Sequence, residues 1–348
     1  MIKKIISLFK SAQNPSYFKY RLCHATRRYM SFKRAKSIAK KNYKDCASNE
    51  INEFILPTYD GSNQSVHPDT IADTSKIYLV VTPYPYGMEE YENPCVYIGQ
   101  DLQEFESMKE APAPIAYPQK HKPGVHLSDP CLILQKDILR CIFRESIRKS
   151  NGEENILKYA DLVNGLWTNA KIIVSSNEDS LISPALLCNY DYEFLMFHVN
   201  AQSNENLLVM SKLSNDMKII ESKNISCYGM PSGYRLWHIS VYFDDLTRKN
   251  DLTRTMIGLF TLKNYDGKGD AFKLYYATGS LQEGGGVWTL QNEIQIDKKI
   301  KSIAKFVYKS SFIPNENKIL LSFRDKSDRY RLAQIEFECK KNARSTDK

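Results

Sequence analysis

The sequence predicts an all-β fold, a five-bladed β-propeller, with a short basic N-terminal extension that is predicted to be helical. Two observations predict the propeller. Short apolar strands recur at a nearly constant spacing after residue 66, with turn residues between them. Long amphipathic helical patterns are absent after residue 45. Small sheets repeated with a period of about 50 residues are typical of propellers.

The repeats can be aligned on one polar residue in each opening. The four markers are Asp69, Asp129, Ser183 and His238, which lie 60, 54 and 55 residues apart. Five such units would cover roughly residues 60–345, and the alternative is a β-sandwich whose strands happen to be evenly spaced. Second strands are predicted at Ile77–Thr82, Ile138–Phe143, Tyr192–His198 and Thr255–Leu262, and the fifth unit at Ile303–Tyr308, Ile319–Phe323 and Arg331–Glu338.

Charge separates an extension, residues 1–44, from a propeller domain, residues 45–348. The extension holds thirteen Lys and Arg residues and no acid, so the net charge of +8 leaves −5 for the rest of the chain. A basic isoelectric point therefore does not indicate a nucleic-acid-binding body, and no nucleic-acid partner is predicted. Ile2, Ile5, Ile6 and Phe9 share one helical face, which predicts peripheral contact with an anionic membrane. The alternative is a solvated arm or a helix packed on the propeller.

The eight cysteines are scattered and form no C-x-x-C pair, which favours a reducing compartment. The alternative is that some of them form disulfides. The apolar patch at the N-terminus stops at Phe9, short of a secretory signal, so the predicted location is cytoplasmic, peripheral at the inner membrane face. No cysteine or histidine spacing indicates zinc, and neither a metal nor a cofactor is predicted.

Repeat openings of a propeller converge in space, because the innermost strand of each blade starts near one mouth of the central channel. Asp69, Asp129 and His238 should therefore meet, with His67 and Trp237 beside them. Two carboxyl groups over a pocket are what glycosidic cleavage needs, one to accept a proton from water and one to donate a proton to the leaving oxygen.

Several short motifs in this order resemble the five-bladed propeller glycoside hydrolases of families 43, 32 and 62. They are His67-Pro68-Asp69, Thr82-Pro83-Tyr84-Pro85-Tyr86, Tyr91-Glu92-Asn93-Pro94, Ser128-Asp129-Pro130, Ser183-Pro184-Ala185 and Trp237-His238. The resemblance covers about residues 60–345 and implies a glycan substrate or ligand.

By position, the resemblance implies that Asp69 is the general base and that Asp129 tunes the site and orients the donor. The third blade departs from the family, because Ser183 stands where the hydrolases usually present a catalytic Glu. Glu92 or, less readily, Glu145 could supply the proton instead. His238 or His67 is a second alternative, and a site that binds sugar without cleaving it is a third.

The remaining candidate residues would bind substrate. Tyr84, Tyr86, Tyr91, Trp237 and Trp288 are candidates to stack on sugar rings, although Tyr is also favoured in strands, and Arg144 and Arg235 are candidates to bind an anionic group. The predicted substrate-binding set is His67, Tyr84, Tyr86, Asn93, Arg144, Ser183 and Trp237.

The sequence thus predicts a carbohydrate-active propeller that hydrolyses or remodels a glycan. The alternative is a non-catalytic glycan-binding or scaffolding propeller in surface-polysaccharide production. A propeller that binds another protein is a third possibility.

Overall fold

The computed structural model divides the chain into two units, Met1–Glu50 and Ile51–Lys348. It describes residues 51–337, apart from 52, 74, 101–108, 111–114, 116–123, 136, 151, 189–193, 203–204, 244–254, 283–284 and 315. The predicted helix within residues 1–44 and the boundary placed after residue 44 lie outside the described residues. No helix in the described part is long and apolar enough to cross a membrane.

Strands make up most of the described chain. In chain order they are β1 (Glu53–Phe54), β2 (Ser65–Ala72), β3 (Ile77–Pro83), β4 (Cys95–Gly99), β5 (Lys109–Glu110), β6 (Val125–Gln135), β7 (Ile138–Lys149), β8 (Gly152–Val163), β9 (Leu166–Trp167), β10 (Lys171–Ser176), β11 (Ser180–Cys188), β12 (Phe194–Ala201), β13 (Asn206–Leu213), β14 (Ile219–Tyr228), β15 (Tyr234–Phe243), β16 (Thr255–Asn264), β17 (Phe272–Gln282), β18 (Gly285–Glu293), β19 (Ala304–Phe312), β20 (Lys318–Asp325) and β21 (Tyr330–Glu336). One short helix, α1 (Lys298–Ile303), precedes β19, and two 3-10 turns, Pro85–Gly87 and Glu89–Tyr91, follow β3.

Consecutive strands pair as antiparallel meanders. The meanders are β2–β5, then β6–β8 with β10, then β11–β14, β15–β18 and β19–β21, while β9 pairs with β8. The first strand of the unit, β1, pairs with β21 and so completes the last meander. Parallel pairing of β14 with β18 joins the third and fourth meanders into one eight-stranded sheet, so the five meanders form four sheets.

The first strands of the meanders, β2, β6, β11, β15 and β19, are called the inner strands because they contact one another in a closed ring. The contacts run from β2 to β6, to β11, to β15, to β19 and back to β2. Radial repetition of small sheets around a channel is the propeller architecture. The prediction of an all-β propeller is therefore confirmed, and the predicted second strands overlap β3, β7, β12 and β16.

Apolar side chains from neighbouring sheets pack against each other to form the core. Leu157 of β8, for example, packs in one cluster with Phe194 and Met196 of β12. Trp288 is fully buried, with its ring 5.0 Å from that of Phe260. Trp288, one of the candidates to stack on a sugar, is not available for that role, because its ring lies in the core between the third and fourth meanders.

Gly279 should not tolerate a side chain, because a Cβ atom there would lie 2.7 Å from the indole ring of Trp288. We expect Gly279→Ala to lower the free energy of unfolding by about 1–3 kcal/mol, the usual cost of overpacking. Urea denaturation measures the change. Gly286→Ala is the matched control, because its Cβ would meet its nearest neighbour at an ordinary 3.5 Å. Equal stability of the two variants would contradict the packing described here.

Candidate functional site

The predicted site lies at the end of the channel where the inner strands begin, here called the mouth. Ser65 at the start of β2 pairs with Pro83 at the end of β3, so the segment 84–94 after β3 lies at this end. The N–H of Leu127 in β6 donates to the carbonyl oxygen of Glu92 at 3.1 Å. This hydrogen bond ties the segment to the next inner strand.

Every inner strand has a β-bulge near its start. The pairing breaks register between Val66 and Asp69, Ser128 and Cys131, Ile182 and Ala185, Leu236 and His238, and Val307 and Ser310. In the first three strands the bulged residue has a left-handed backbone, with φ of 54° at His67, 52° at Asp129 and 53° at Ser183. Each is followed by proline, which has no N–H to leave unpaired in the ladder. A bulge re-aims a side chain, and here it brings His67 and Asp129 into contact.

The bulges also correct the repeat alignment. Asp129 is the counterpart of His67, whereas Asp69 is the first paired residue after its bulge and is the counterpart of Cys131. Asp69 Oδ2 accepts a hydrogen bond from the N–H of Leu132 at 2.7 Å. Cys131 Sγ accepts one from the N–H of Leu186 at 3.3 Å. Asp69 and Cys131 therefore make the same link to the next inner strand, one meander apart.

The second carboxylate oxygen of Asp69 is also engaged. Tyr242 donates its hydroxyl proton to Asp69 Oδ1 at 3.1 Å, and the same hydroxyl lies 2.7 Å from Ser311 Oγ. Asp69 is 4% exposed. These contacts favour the structural role for Asp69 over the predicted role of general base.

Asp129 lies at the centre of the site. Its Oδ2 is 3.2 Å from both Arg144 Nε and Ser128 Oγ, and its Oδ1 is 3.4 Å from His67 Nε2 and from His238 Nδ1. Burial by itself would raise the pKa of Asp129, but His67, Arg144 and the contact with His238 outweigh it and hold that pKa well below its usual range. The Arg144 guanidinium is the cation in direct contact with this carboxylate, at 3.2 Å from Oδ2.

Glu92 is buried at the mouth, with its Oε2 3.6 Å from His126 Nε2. Burial raises the pKa of Glu92 well above its usual range, and the negative charges of Asp129, Glu89 and Glu153 act in the same direction, while Arg144 opposes them. Glu92 therefore retains its proton at higher pH than an ordinary carboxyl group.

Burial lowers the pKa of the site's histidines. The pKa of His67 falls to about 3 and that of His126 also to about 3, and the pKa of His238 is lowered too. Asp129 opposes the shift in each case without reversing it. These imidazoles are neutral near pH 7, which disfavours the alternative in which His67 or His238 acts as an imidazolium donor.

Of the other predicted residues, Tyr84 and Trp237 line the mouth with partly buried rings. The ring of Tyr84 lies 4.6 Å from that of Tyr330, and the ring of Trp237 lies 5.4 Å from that of His238.

The remaining predicted residues make polar contacts or are buried. Tyr86 donates its N–H to Gln64 Oε1 at 3.2 Å. Asn93 is buried beside Glu92, and Ser183 Oγ bonds to the backbone of Ile239 at 2.9 Å, so Ser183 joins two inner strands.

Two candidates lie elsewhere. Glu145 is paired with Lys158 Nζ at 2.5 Å, which disfavours it as the proton donor. The guanidinium of Arg235 stacks over the ring of Tyr265 at 4.4 Å.

The sequence did not single out His126, Tyr308 or Lys309. Tyr308 occupies the bulge of β19, and its ring lies 5.7 Å from that of His67. Lys309 is fully buried and donates from Nζ to the carbonyl oxygen of Pro130 at 2.6 Å. An alignment made on the bulges would have found Tyr308 and Lys309. In such an alignment they are the counterparts of the His-Pro, Asp-Pro and Ser-Pro pairs of the first three inner strands.

Solved structures share this architecture. One is a GH43 β-xylosidase/α-arabinofuranosidase from a compost microbial metagenome, in complex with xylotriose in a calcium-free form. It is 13% identical to this chain, with a TM-score of 0.55, and the match covers 82% of this chain and 94% of that chain. Another is an α-L-arabinofuranosidase from Lactobacillus brevis, with 12% identity, 84% and 94% coverage and a TM-score of 0.57. A third is a thermostable family-43 glycoside hydrolase, with 13% identity, 79% and 91% coverage and a TM-score of 0.56.

This chain has the fold of the family 43 glycoside hydrolases. The resemblance predicted from the sequence motifs is thus confirmed at the level of fold. No protein-family model and no curated protein matches the sequence. At identities of 12–13% the likeness shows the architecture only. What the site does depends on the side chains at the mouth.

The structural interpretation of Asp69 predicts a loss of stability in Asp69→Ala. The variant leaves the buried N–H of Leu132 without its acceptor, which costs about 1–3 kcal/mol. Urea denaturation measures the loss, and Asp73→Ala, which removes an acceptor of exposed N–H groups, should change stability much less. Wild-type stability of Asp69→Ala together with lost turnover of a glycan would instead identify Asp69 as catalytic.

Proposed function

We propose that this protein binds a glycan at the mouth of its channel and hydrolyses a glycosidic bond, with Glu92 as the proton donor. The observation that carries the proposal is the burial of the Glu92 carboxyl at the mouth, which raises its pKa well above the usual range. A general acid must hold its proton at the working pH. Glycosidases use a carboxyl group with a raised pKa for this step.

A second carboxyl group and a cation complete the arrangement. Arg144 contacts Asp129 at 3.2 Å and also opposes the upward shift of the Glu92 pKa, so it interacts with both acids. Glycoside hydrolysis needs two carboxyl groups on either side of the scissile bond. The geometry favours Asp129 over Asp69 as the second one, because both oxygens of Asp69 already bond to other strands.

Aromatic side chains support a sugar ligand. Tyr84 and Tyr330 form one ring pair, and Trp237 lies 6.4 Å from Phe306 with Lys263 Nζ 4.4 Å above the Trp237 ring. Tyr330 is buried, but the rings of Tyr84 and Trp237 are partly exposed, and such flat rings can pack against the C–H faces of sugars. The fold shared with structures named as xylosidase and arabinofuranosidase points to the same class of ligand.

A non-catalytic glycan-binding propeller, with a scaffolding role in surface-polysaccharide production, is the second candidate. The observation that favours it is the place of Ser183, where the hydrolases usually present a Glu. Its hydroxyl bonds to the backbone of Ile239 and is not available for proton transfer to a substrate. Binding of a glycan by the wild-type protein with no cleavage at high protein concentration would select this candidate.

Glu92→Gln should abolish hydrolysis while leaving glycan affinity within a few-fold of wild type. The amide has nearly the same shape but cannot donate a proton as an acid, so the loss in kcat should be on the order of a hundredfold or more. Product release from a glycan that the wild-type protein cleaves measures turnover, and calorimetry measures binding. Glu145→Gln is the matched control and should keep activity, because Glu145 is paired with Lys158. Unchanged kcat in Glu92→Gln would remove Glu92 from the mechanism.

The pH profile of hydrolysis should show a basic limb shifted upward by Glu92. The donor acts only while protonated, so activity should be lost as pH rises through its raised pKa. Arg144 lowers the pKa of Glu92, whereas the charges of Asp129, Glu89 and Glu153 raise it. His126 contacts Glu92 but is neutral near pH 7. Glu153→Gln should therefore move the basic limb of kcat/KM toward lower pH. A limb that does not move would show that another group is the acid.

A further inference from the structure

We propose that His67, Asp129 and His238 form a binding site for a divalent first-row transition-metal ion such as Zn²⁺. These side chains come from three inner strands, β2, β6 and β15, and each offers one ligand atom within 4.8 Å of the others. All three residues are buried, with 1–4% of their surface exposed. The proposal goes beyond glycan hydrolysis: it shares Asp129 with the proposed site, but Glu92 is not among its ligands.

The first support is a set of unpaired polar atoms. Asp129 Oδ1, His67 Nδ1 and both ring nitrogens of His238 have no hydrogen-bond partner in the described part of the chain. The 3.4 Å contacts of Asp129 Oδ1 with the two rings are not aligned as hydrogen bonds. Buried polar atoms are normally paired, and each that is not costs stability. An ion bound by Asp129 Oδ1, His67 Nε2 and His238 Nδ1 would give two of these atoms, Asp129 Oδ1 and His238 Nδ1, a partner.

The second support is spacing. Asp129 Oδ1 lies 3.4 Å from His67 Nε2 and 3.4 Å from His238 Nδ1. Ligand atoms about 2.0–2.1 Å from a tetrahedral zinc ion are roughly 3.4 Å apart. These two separations are those that a tetrahedral ion requires, and the two ligand nitrogens lie within 4.8 Å of each other.

The third support is the surroundings of the carboxylate. Its other oxygen, Asp129 Oδ2, is 3.2 Å from Arg144 Nε and from Ser128 Oγ. Ligand carboxylates in metal sites are usually oriented by such outer contacts. The outer contacts thus hold Oδ1 toward the two imidazoles.

The donor atoms select the kind of metal. Two imidazoles and one carboxylate suit Zn²⁺ and its neighbours, whereas Ca²⁺ takes six to eight oxygen ligands. Calcium, which the name of one similar structure mentions, therefore fits this set poorly. Arg144 and Lys309 add two positive charges near the trio, so a hard ion held by charge alone is disfavoured, and the imidazole nitrogens must supply the affinity.

A metal titration of the full-length protein, first stripped with a chelator, tests the proposal. Calorimetry with Zn²⁺ should show one tight site, and Co²⁺ should bind there with visible absorption typical of a four- or five-coordinate ion. Ca²⁺ should neither bind comparably nor displace Co²⁺. His238→Gln and His67→Gln should each weaken Zn²⁺ binding on the order of a hundredfold.

Two variants control for other sites and for folding. His198→Gln removes a buried histidine of β12 outside the trio and should bind Zn²⁺ like the wild type. Zn²⁺ should also raise the thermal midpoint of the wild type and of His198→Gln but not that of His238→Gln, which shows whether each variant is folded. Glu92→Gln should bind Zn²⁺ normally, so failure of the metal site and failure of the proposed donor are distinguishable. Absence of tight Zn²⁺ binding, equal affinity in the His238 and His198 variants, or a preference for Ca²⁺ would overturn the proposal.

Discussion

The arrangement of this mouth depends on the bulge at the start of each inner strand. A strand presents its side chains alternately to its two faces, and an extra residue interrupts that alternation. At equivalent bulges the chain places His67, Asp129 and Ser183, all with positive φ. Such a backbone costs about 1–3 kcal/mol per residue and persists only where surrounding contacts determine it. Ser183, bonded through its hydroxyl to both the N–H and the carbonyl of Ile239, illustrates such a contact.

Buried charges are compatible with this arrangement because the bulges expose polar atoms inside the channel. Lys309, with none of its surface exposed, donates to the carbonyl oxygen of Pro130 at 2.6 Å and lies 3.5 Å from that of Pro184. Both carbonyls belong to bulges. An unpaired buried ammonium would be very costly, so Lys309 and the bulged backbone depend on each other. Arg144 likewise contacts a residue at a bulge, the carboxylate of Asp129.

The sheets determine the fold, whereas the side chains at the mouth determine the chemistry. The architecture is shared with family 43 hydrolases at 12–13% identity, because a propeller needs only apolar strands that alternate and repeat. The chemistry depends on a few buried polar groups, and burial shifts the pKa values of Glu92 and the histidines in opposite senses. The fold by itself does not determine what is bound, so the function depends on the site residues.

The sequence by itself determined the repeat, the propeller and most of the residues at the mouth. A period of 54 to 60 residues between polar markers was enough to predict that Asp129, His67 and His238 would meet. The period could not show which acid would face the channel. Asp69 lies two residues beyond the counterpart of Asp129, and a shift of two residues is smaller than the variation in the period. Only the pairing of β2 with β3 shows that Asp69 lies beyond its bulge and bonds to the next strand. The three-dimensional structure likewise decided which polar atoms are left without partners, because burial and alignment depend on strands far apart in the chain.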